Sequence, residues 1–243
     1  MERHIYESMR ELQQAHWWFA ARRQILGSEL RRLPLPRPAR ILEVGCGPGG
    51  NLELLKRFGE VRAIEPDAES RAYATECSGV RVDGGLLPDG LPDLGGPFDL
   101  ICAFDVIEHV DDDTGAVAAL AALVKPGGFL VTTVPAYAWL WSEHDAQHHH
   151  KRRYTRPAYR RLFEAAGLTV RRATYFNSVL FAPIAGIRLA RTAARLRGGD
   201  DERMPPPALN GLLRGLFAAE ASILKATDLP FGVSILLIAE RPA

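Results

Sequence analysis

Three closely spaced glycines, Gly45, Gly47 and Gly49, directly follow the mostly apolar residues 41–44. Glycine tolerates positive φ and lets a ligand approach the backbone without a Cβ in the way. Asn51 comes next, as the predicted N-cap of a helix over residues 52–58. A strand, a glycine-rich turn and a helix in this order are typical of a nucleoside-binding site at the carboxyl end of a parallel sheet.

Two acidic residues accompany this turn. Glu65 lies 20 residues after Gly45, at the end of a second apolar stretch, where its carboxylate can accept hydrogen bonds from both ribose hydroxyls. Glu43 precedes the turn, where it would repel a pyrophosphate but suits a ligand that carries an ammonium group. The spacing of Gly45, Gly47 and Gly50 also satisfies the dinucleotide fingerprint, so a nicotinamide-dependent oxidoreductase is an alternative prediction.

Titratable side chains that can act on a bound substrate lie later in the chain. His109 follows the fourth predicted strand, residues 98–104. An Asp145–His150 pair in the loop after the fifth predicted strand, residues 129–134, can deprotonate a hydroxyl. We predict these three as catalytic residues. The alternative role is capping of the local backbone for His109 and structural packing of the loop for Asp145 and His150. Residues 144 and 148–150 are all histidines. Three adjacent histidines cannot all point at one ion, so no metal site is predicted.

An aromatic segment near the start of the chain predicts a cover over the ligand. Trp17 and Trp18 lie in a stretch with helical periodicity, and Arg22 follows about one turn later, where it can bind a carboxylate. Packing of this helix onto the domain is the alternative. The predicted substrate contacts are the two tryptophans and four residues from the loop after the fifth strand: Tyr137, His144, Arg153 and Tyr154.

Apolar stretches alternate with helical stretches at the spacing of a doubly wound, parallel α/β sheet. We predict three parts of the chain. Residues 1–38 form an N-terminal helical lid, residues 39–177 and 228–243 form the α/β core, and residues 178–227 form a helical hairpin inserted before the last strand. The hairpin is broken at residues 198–207, a loop rich in glycine, charge and proline.

Four motifs in chain order resemble those of class I S-adenosylmethionine-dependent methyltransferases, of the small-molecule type. They are ILEVGCGPG from residue 41, IEPD from residue 64, FDLI running on to VIEHV over residues 98–110, and LVKPGG from residue 123. The resemblance covers roughly residues 39–135. The Glu-His-Val ending is similar to the branch that includes ubiquinone- and menaquinone-biosynthesis enzymes.

The resemblance implies a Rossmann-like sheet of seven mostly parallel strands with the last strand antiparallel. It also implies S-adenosyl-L-methionine as the cofactor and S-adenosyl-L-homocysteine as its product. Glu65 would bind the ribose, and Phe104 would contact the methionyl end. The other expected cofactor contacts are Glu43, Gly45, Gly47, Gly49, Pro66, Arg22, and, beside the adenine, Asp83 and Gly84. The expected activity is methyl transfer to an oxygen, nitrogen or carbon of a small-molecule acceptor; a non-catalytic binding module is a further alternative.

Composition narrows the expected partners. The chain has 243 residues, 47% of them hydrophobic, and a net charge of +1. Such a balance does not indicate nucleic acid or a membrane surface as a partner, and no stable membrane insertion is expected. The three cysteines are widely spaced, which favours a reduced, cytoplasmic protein. A homodimer stays open as the assembly.

Overall fold

One seven-stranded sheet organises the computed structural model, which describes residues 3–194 and 203–243. The strands are β1 (Ala39–Val44), β2 (Gly59–Ile64), β3 (Arg81–Asp83), β4 (Phe98–Phe104), β5 (Val124–Pro135), β6 (Thr169–Phe176) and β7 (Ser234–Glu240). Their order is β3-β2-β1-β4-β5-β7-β6, and only the pairings that involve β7 are antiparallel. The predicted doubly wound, mostly parallel sheet with an antiparallel last strand is therefore confirmed.

Helices cover both faces of the sheet. Those of the described residues are α1 (Arg3–Ala15), α2 (Trp17–Leu30), α3 (Leu52–Leu55), α4 (Ala68–Ser78), α5 (Asp113–Leu123), α6 (Glu143–Gln147), α7 (Arg156–Ala165), α8 (Phe181–Ala193), α9 (Pro207–Ala218) and α10 (Glu220–Leu224). The last three belong to the predicted hairpin, and α9 packs against α2 of the predicted lid. Residues 198–202 of the predicted break, and residues 1–2 of the lid, lie outside the described residues.

Strand β1 shows why the sheet is buried on both sides. Successive side chains of a strand point to opposite faces. Leu42 and Val44 accordingly belong to one hydrophobic cluster, whereas Ala39 and Ile41 belong to the cluster on the other face. A strand that is apolar on both faces is typical of a parallel sheet with helices on either side. This packing fixes the carboxyl end of β1, from which the glycine turn starts.

The segment after β1 differs from the sequence-based prediction in two respects. Asn51 precedes α3, but its side chain makes no capping hydrogen bond. Its Nδ2 instead donates to Glu43 Oε1 at 2.9 Å. The helix also ends at Leu55 rather than at Phe58. A buried carboxylate needs a donor more than the exposed end of a one-turn helix does, so the amide is used there.

In the part of the chain that the structure describes, no helix combines the length and the apolar character that crossing a membrane requires.

Candidate active site

A cavity of about 840 Å³ opens at the carboxyl ends of β1 and β4. These two strands are neighbours in the sheet, and the chain runs outward from them in both directions, so they form the switch point at which doubly wound folds bind ligands. The walls come from the glycine turn, the ends of β2 and β4, helices α1, α2 and α8, and the loop after β5.

The glycine turn forms one wall of the cavity. Gly45 and Gly47 line it, with φ values of +69° and +54°. A Cβ on Gly45 would lie 2.6 Å from Val106 Cγ2, so a side chain here would force Val106 to shift. Gly49 has a different task, because a Cβ there would lie 3.1 Å from Ala74 Cβ of helix α4. Two glycines therefore shape the cavity, and the third allows α4 to pack closely.

Glu65 joins the end of β2 to this turn. Its Oε2 accepts a hydrogen bond from the Gly47 N–H at 2.8 Å, and its Oε1 accepts one from the Asp67 N–H at 2.9 Å. The side chain is buried but lines the cavity together with Pro66. Burial raises the pKa of Glu65, and the two backbone donors oppose that rise. Each carboxylate oxygen keeps a lone pair for a ligand hydroxyl.

Glu43 is a second buried acid behind the turn. It is 1% exposed. Burial raises the pKa of Glu43 to about 7, against the hydrogen bond from Asn51. Glu43 therefore does not line the cavity but accepts a hydrogen bond from Asn51 behind it, whereas the adjoining Val44 lines the cavity.

Arg22 brings a positive charge from α2 to the end of β4. Its Nη2 lies 2.9 Å from Asp105 Oδ2. The guanidinium lies between two aromatic rings, 4.8 Å from the centre of Trp18 and 5.6 Å from that of Phe104. All four residues line the cavity. A stacked guanidinium is held in place and keeps its remaining N–H groups for a carboxylate.

The predicted aromatic cover is part of the cavity wall. Trp17 and Trp18 both line it. The Trp17 ring contacts Phe217 of α9 edge to face, with ring centres 6.0 Å apart. The backbone N–H of Trp17 donates to Asn210 Oδ1 at 2.8 Å. Helix α9 therefore fixes Trp17 in the cavity wall without lining the cavity itself.

The structure brings the predicted Asp145–His150 pair together, and His150 lines the cavity whereas Asp145 does not. His150 Nδ1 lies 2.8 Å from Asp145 Oδ1. Arg153 donates to both carboxylate oxygens, Nε to Oδ1 at 2.7 Å and Nη2 to Oδ2 at 3.0 Å. Burial alone would raise the pKa of Asp145, but the hydrogen bonds from His150 and Arg153 outweigh it and hold that pKa well below its usual value. Asp145 is therefore a fixed anion that orients His150.

Two further predicted histidines line the same end of the cavity. The His109 ring lies 4.7 Å from the His150 ring, at an interplanar angle of 79°. Burial lowers the pKa of His109 to about 3 and lowers the pKa of His144 well below its usual value. Both rings are neutral at physiological pH, so each can offer a nitrogen lone pair.

Seven predicted site residues lie outside the cavity wall: Glu43, Gly49 and Asp145, described above, and Asp83, Gly84, Tyr137 and Tyr154. Tyr154 turns away because its hydroxyl donates to Asp113 Oδ2 at 2.8 Å and its ring packs against Tyr159. Tyr137 stacks on Tyr175, with ring centres 5.1 Å apart. Asp83 pairs with Arg62 and Arg81. Gly84 lies next to the Arg71 guanidinium, and the neighbouring residues 85–89 line the cavity instead.

Several residues that line the cavity are not among those predicted from the sequence. Asp105 and Glu108 follow β4, and the apolar Ile184 and Ile187 come from α8. Glu108 is fully buried, and burial raises the pKa of its carboxyl well above the usual value. The position of Glu108 next to His109 in the VIEHV motif is the sequence feature that could have indicated a role in the site. Contacts of α8 with the cavity have no comparable signal, because its residues lie far along the chain.

Comparisons with known proteins agree with this geometry. A family model described as a methyltransferase domain matches residues 18–173. The ubiquinone biosynthesis O-methyltransferase of Xanthomonas axonopodis pv. citri is 39% identical over 102 residues, which cover 39% of this chain and 42% of the relative. That of Xylella fastidiosa (strain 9a5c) is 41% identical over 112 residues, covering 43% and 45%. The matched part is thus less than half of each of these relatives.

Solved structures show the same fold. A putative sarcosine dimethylglycine methyltransferase from Galdieria sulphuraria has a TM-score of 0.63 at 16% identity and covers 91% of this chain and 85% of that one. A putative methyltransferase in complex with the Haloferax volcanii Trm112 methyltransferase activator has a TM-score of 0.63 at 18% identity, with 99% and 95% covered. The predicted class I methyltransferase fold is confirmed. Since the family model spans more than half of the chain, the protein belongs to the methyltransferase-domain family.

Proposed function

We propose that this protein transfers a methyl group from S-adenosyl-L-methionine to a hydroxyl oxygen of a small-molecule acceptor. The observation that carries this proposal is one continuous cavity, which joins the glycine turn and Glu65 at one end to His109 and His150 at the other. Ligand cavities run from about 300 to 1,000 Å³. At about 840 Å³ this one has room for a cofactor and an acceptor together.

The residues at the glycine turn fit the cofactor. Gly45 and Gly47 leave the backbone open to it, and the Glu65 carboxylate has lone pairs for the ribose hydroxyls. Arg22, held between Trp18 and Phe104, suits the cofactor carboxylate. When bound, the cofactor supplies an activated sulfonium methyl group, so the chain has to align the acceptor and exclude water. The adenine contacts of Asp83 and Gly84 stay a prediction.

The opposite end of the cavity is assigned to the acceptor. The predicted substrate contacts Trp17, Trp18, His144 and Arg153 line the cavity, and Arg153 also donates to the Ala136 carbonyl oxygen. His109, Asp145 and His150 are the residues that we assign to holding and activating the acceptor hydroxyl. The names of the curated relatives, O-methyltransferases, favour oxygen over nitrogen or carbon as the methylated atom.

The two alternatives have less support. A nicotinamide-dependent oxidoreductase would need a pyrophosphate next to Glu43, and the family match favours a methyltransferase. A non-catalytic binding module would have no use for a His150 ring held by a buried anion at the cavity wall. The cytoplasmic location, the homodimer and the absence of nucleic-acid partners stay predictions.

Label transfer tests the proposal. The protein is incubated with S-adenosylmethionine that carries an isotope-labelled methyl group and with a fractionated small-molecule extract. We expect label in a low-molecular-weight product, and loss of that product with Glu65→Ala. Cofactor binding without transfer to any fraction would instead support the binding module.

A further inference from the structure

The acceptor end of the cavity holds three side chains with the donor atoms of a divalent metal site. One donor atom from each of Glu108, His109 and His150 lies within 4.8 Å of the other two. All three residues line the cavity. Among the described residues, neither carboxylate oxygen of the fully buried Glu108 has a hydrogen-bond partner apart from the N–H of Glu108 itself. An unsatisfied buried polar group costs about 1–3 kcal/mol. A ligand that binds this carboxylate would therefore stabilise the site.

Both histidines are held through one ring nitrogen, which leaves the other for a ligand. His150 Nδ1 lies 2.8 Å from Asp145 Oδ1. The His109 ring hydrogen-bonds to the backbone of His148. Histidines that ligate metals almost always donate their second N–H to a carboxylate or a backbone carbonyl, which fixes the tautomer and the ring orientation. Here His150 has a carboxylate partner, Asp145, and His109 has a backbone partner at His148.

We propose that Glu108, His109 and His150 bind one first-row transition-metal dication of the Zn²⁺ class. Two imidazoles and one carboxylate suit such ions, whereas Mg²⁺ and Ca²⁺ prefer oxygen ligands. Metal–ligand bonds of about 2.0–2.2 Å place the ligand atoms of a tetrahedral site roughly 3.4 Å apart, so side-chain shifts on the order of 1 Å close the set. Only His150 comes from the histidine run, so the objection that adjacent histidines cannot share one ion does not apply.

The role of this site rests on the proposed methyl transfer to a hydroxyl. Three protein ligands leave a coordination position open toward the cavity, where the acceptor oxygen binds. Coordination lowers the pKa of the hydroxyl, and its proton leaves to solvent. The resulting oxyanion attacks the methyl carbon: a C–O bond forms as the S–C bond breaks, and the electron pair of that bond returns to sulfur as a neutral thioether. Asp145 then acts as a positioning residue for His150.

The test is a titration of the chelator-treated full chain with Co²⁺, a spectroscopic substitute for Zn²⁺, followed by its d–d absorption. We expect wild type to bind one Co²⁺ per chain. His149→Ala is the matched control, because His149 is an exposed neighbour of His150 and not one of the three ligands. Glu108→Gln and His150→Gln should each bind Co²⁺ at least tenfold more weakly. Glu108→Gln keeps the side-chain volume, and circular dichroism checks that each variant is folded.

Every result of this titration either supports the metal site or overturns it. Saturable binding that both ligand variants weaken and His149→Ala does not supports the site. The site is overturned if wild type shows no saturable binding, or if both ligand variants bind Co²⁺ as tightly as wild type does. Calorimetric titration of the same preparations with S-adenosylhomocysteine separates the two proposals. A chain that binds this product but not Co²⁺ refutes the metal site and leaves methyl transfer standing. A chain that binds Co²⁺ but not the product refutes the proposed function, and with it the role given to the metal.

Discussion

The Gly47 N–H donates a hydrogen bond of 2.8 Å to Glu65 Oε2 and so connects the glycine turn after β1 to the end of β2. The two residues are 18 apart in sequence and form adjoining parts of one wall. The Asp67 N–H holds the other oxygen of the same carboxylate. Glu65 is therefore presented to the cavity in one fixed orientation, which suits recognition of a pair of neighbouring hydroxyls.

Glu65→Ala should weaken the binding of S-adenosylhomocysteine by at least about tenfold, since a hydrogen bond to a charged group contributes roughly 1.5–3 kcal/mol. Isothermal titration calorimetry measures the change. Glu60→Ala is the control, because Glu60 is an exposed acid on the same strand. Equal affinities of the two variants would show that Glu65 does not bind the ribose.

Gly45→Ala and Gly79→Ala separate backbone strain from crowding. Both glycines have positive φ, +69° and +67°. The added Cβ meets Val106 at position 45 and nothing within 4 Å at position 79. Gly79→Ala should lose about 1–2 kcal/mol of unfolding free energy from strain alone. Gly45→Ala should lose about 1–3 kcal/mol more from overpacking. Urea unfolding measures both, and equal losses would contradict the close approach of Val106.

Glu43 should make the protein less stable as the pH rises. The pKa of Glu43 is raised to about 7 in the folded chain, from an ordinary value of 4.5. Between these values the folded state holds a proton that the unfolded state has released, so stability falls with rising pH through that window. The full penalty above pH 7 is about 3 kcal/mol, at about 1.4 kcal/mol per pKa unit.

Glu43→Gln should remove this contribution, because the amide oxygen still accepts from Asn51 and carries no charge. Urea unfolding at pH 5 and pH 8 should show the variant gaining on wild type at the higher pH only. The exposed Glu60→Gln should leave the pH dependence unchanged. A variant as pH-sensitive as wild type would mean that Glu43 is ionised in the folded chain.

Arg153→Met should destabilise the protein strongly. Arg153 and Asp145 form an ion pair whose side chains are 2% and 0% exposed. Removing one partner of a buried pair costs about 3–5 kcal/mol, because the other charge stays buried. Arg160→Met is the comparison, since the Arg160–Glu164 pair is 49% and 45% exposed and such helical pairs contribute about 0.3–0.5 kcal/mol. Thermal melts that shift equally for the two variants would contradict the structural role of Arg153.

The parts of the site that follow from short spacings were predictable. Gly45, Gly47 and Glu65 lie on adjoining strand ends, and their positions follow from the strand–turn–helix pattern. Asp145 and His150 are five residues apart in one loop, which made their pairing a natural hypothesis. In each case the chain brings the residues together locally or through a regular parallel pairing.

The parts that depend on irregular backbone or on distant segments were not predictable. Tyr137 and Tyr154 lie in a loop without periodicity, so no pattern indicates which way a side chain faces. The ion pair of Arg22 with Asp105 joins the first helical segment to the fourth strand. The approach of His150 to Glu108 likewise joins the loop after β5 to the turn after β4. Only tertiary packing sets such contacts.

Calorimetric titration of the wild-type chain with S-adenosylhomocysteine and, separately, with NAD tests the central claim most directly. The account predicts saturable binding of one S-adenosylhomocysteine per chain and no detectable heat with NAD. Saturable binding of NAD, or no binding of S-adenosylhomocysteine, would contradict the assignment of this cavity to a methyl donor.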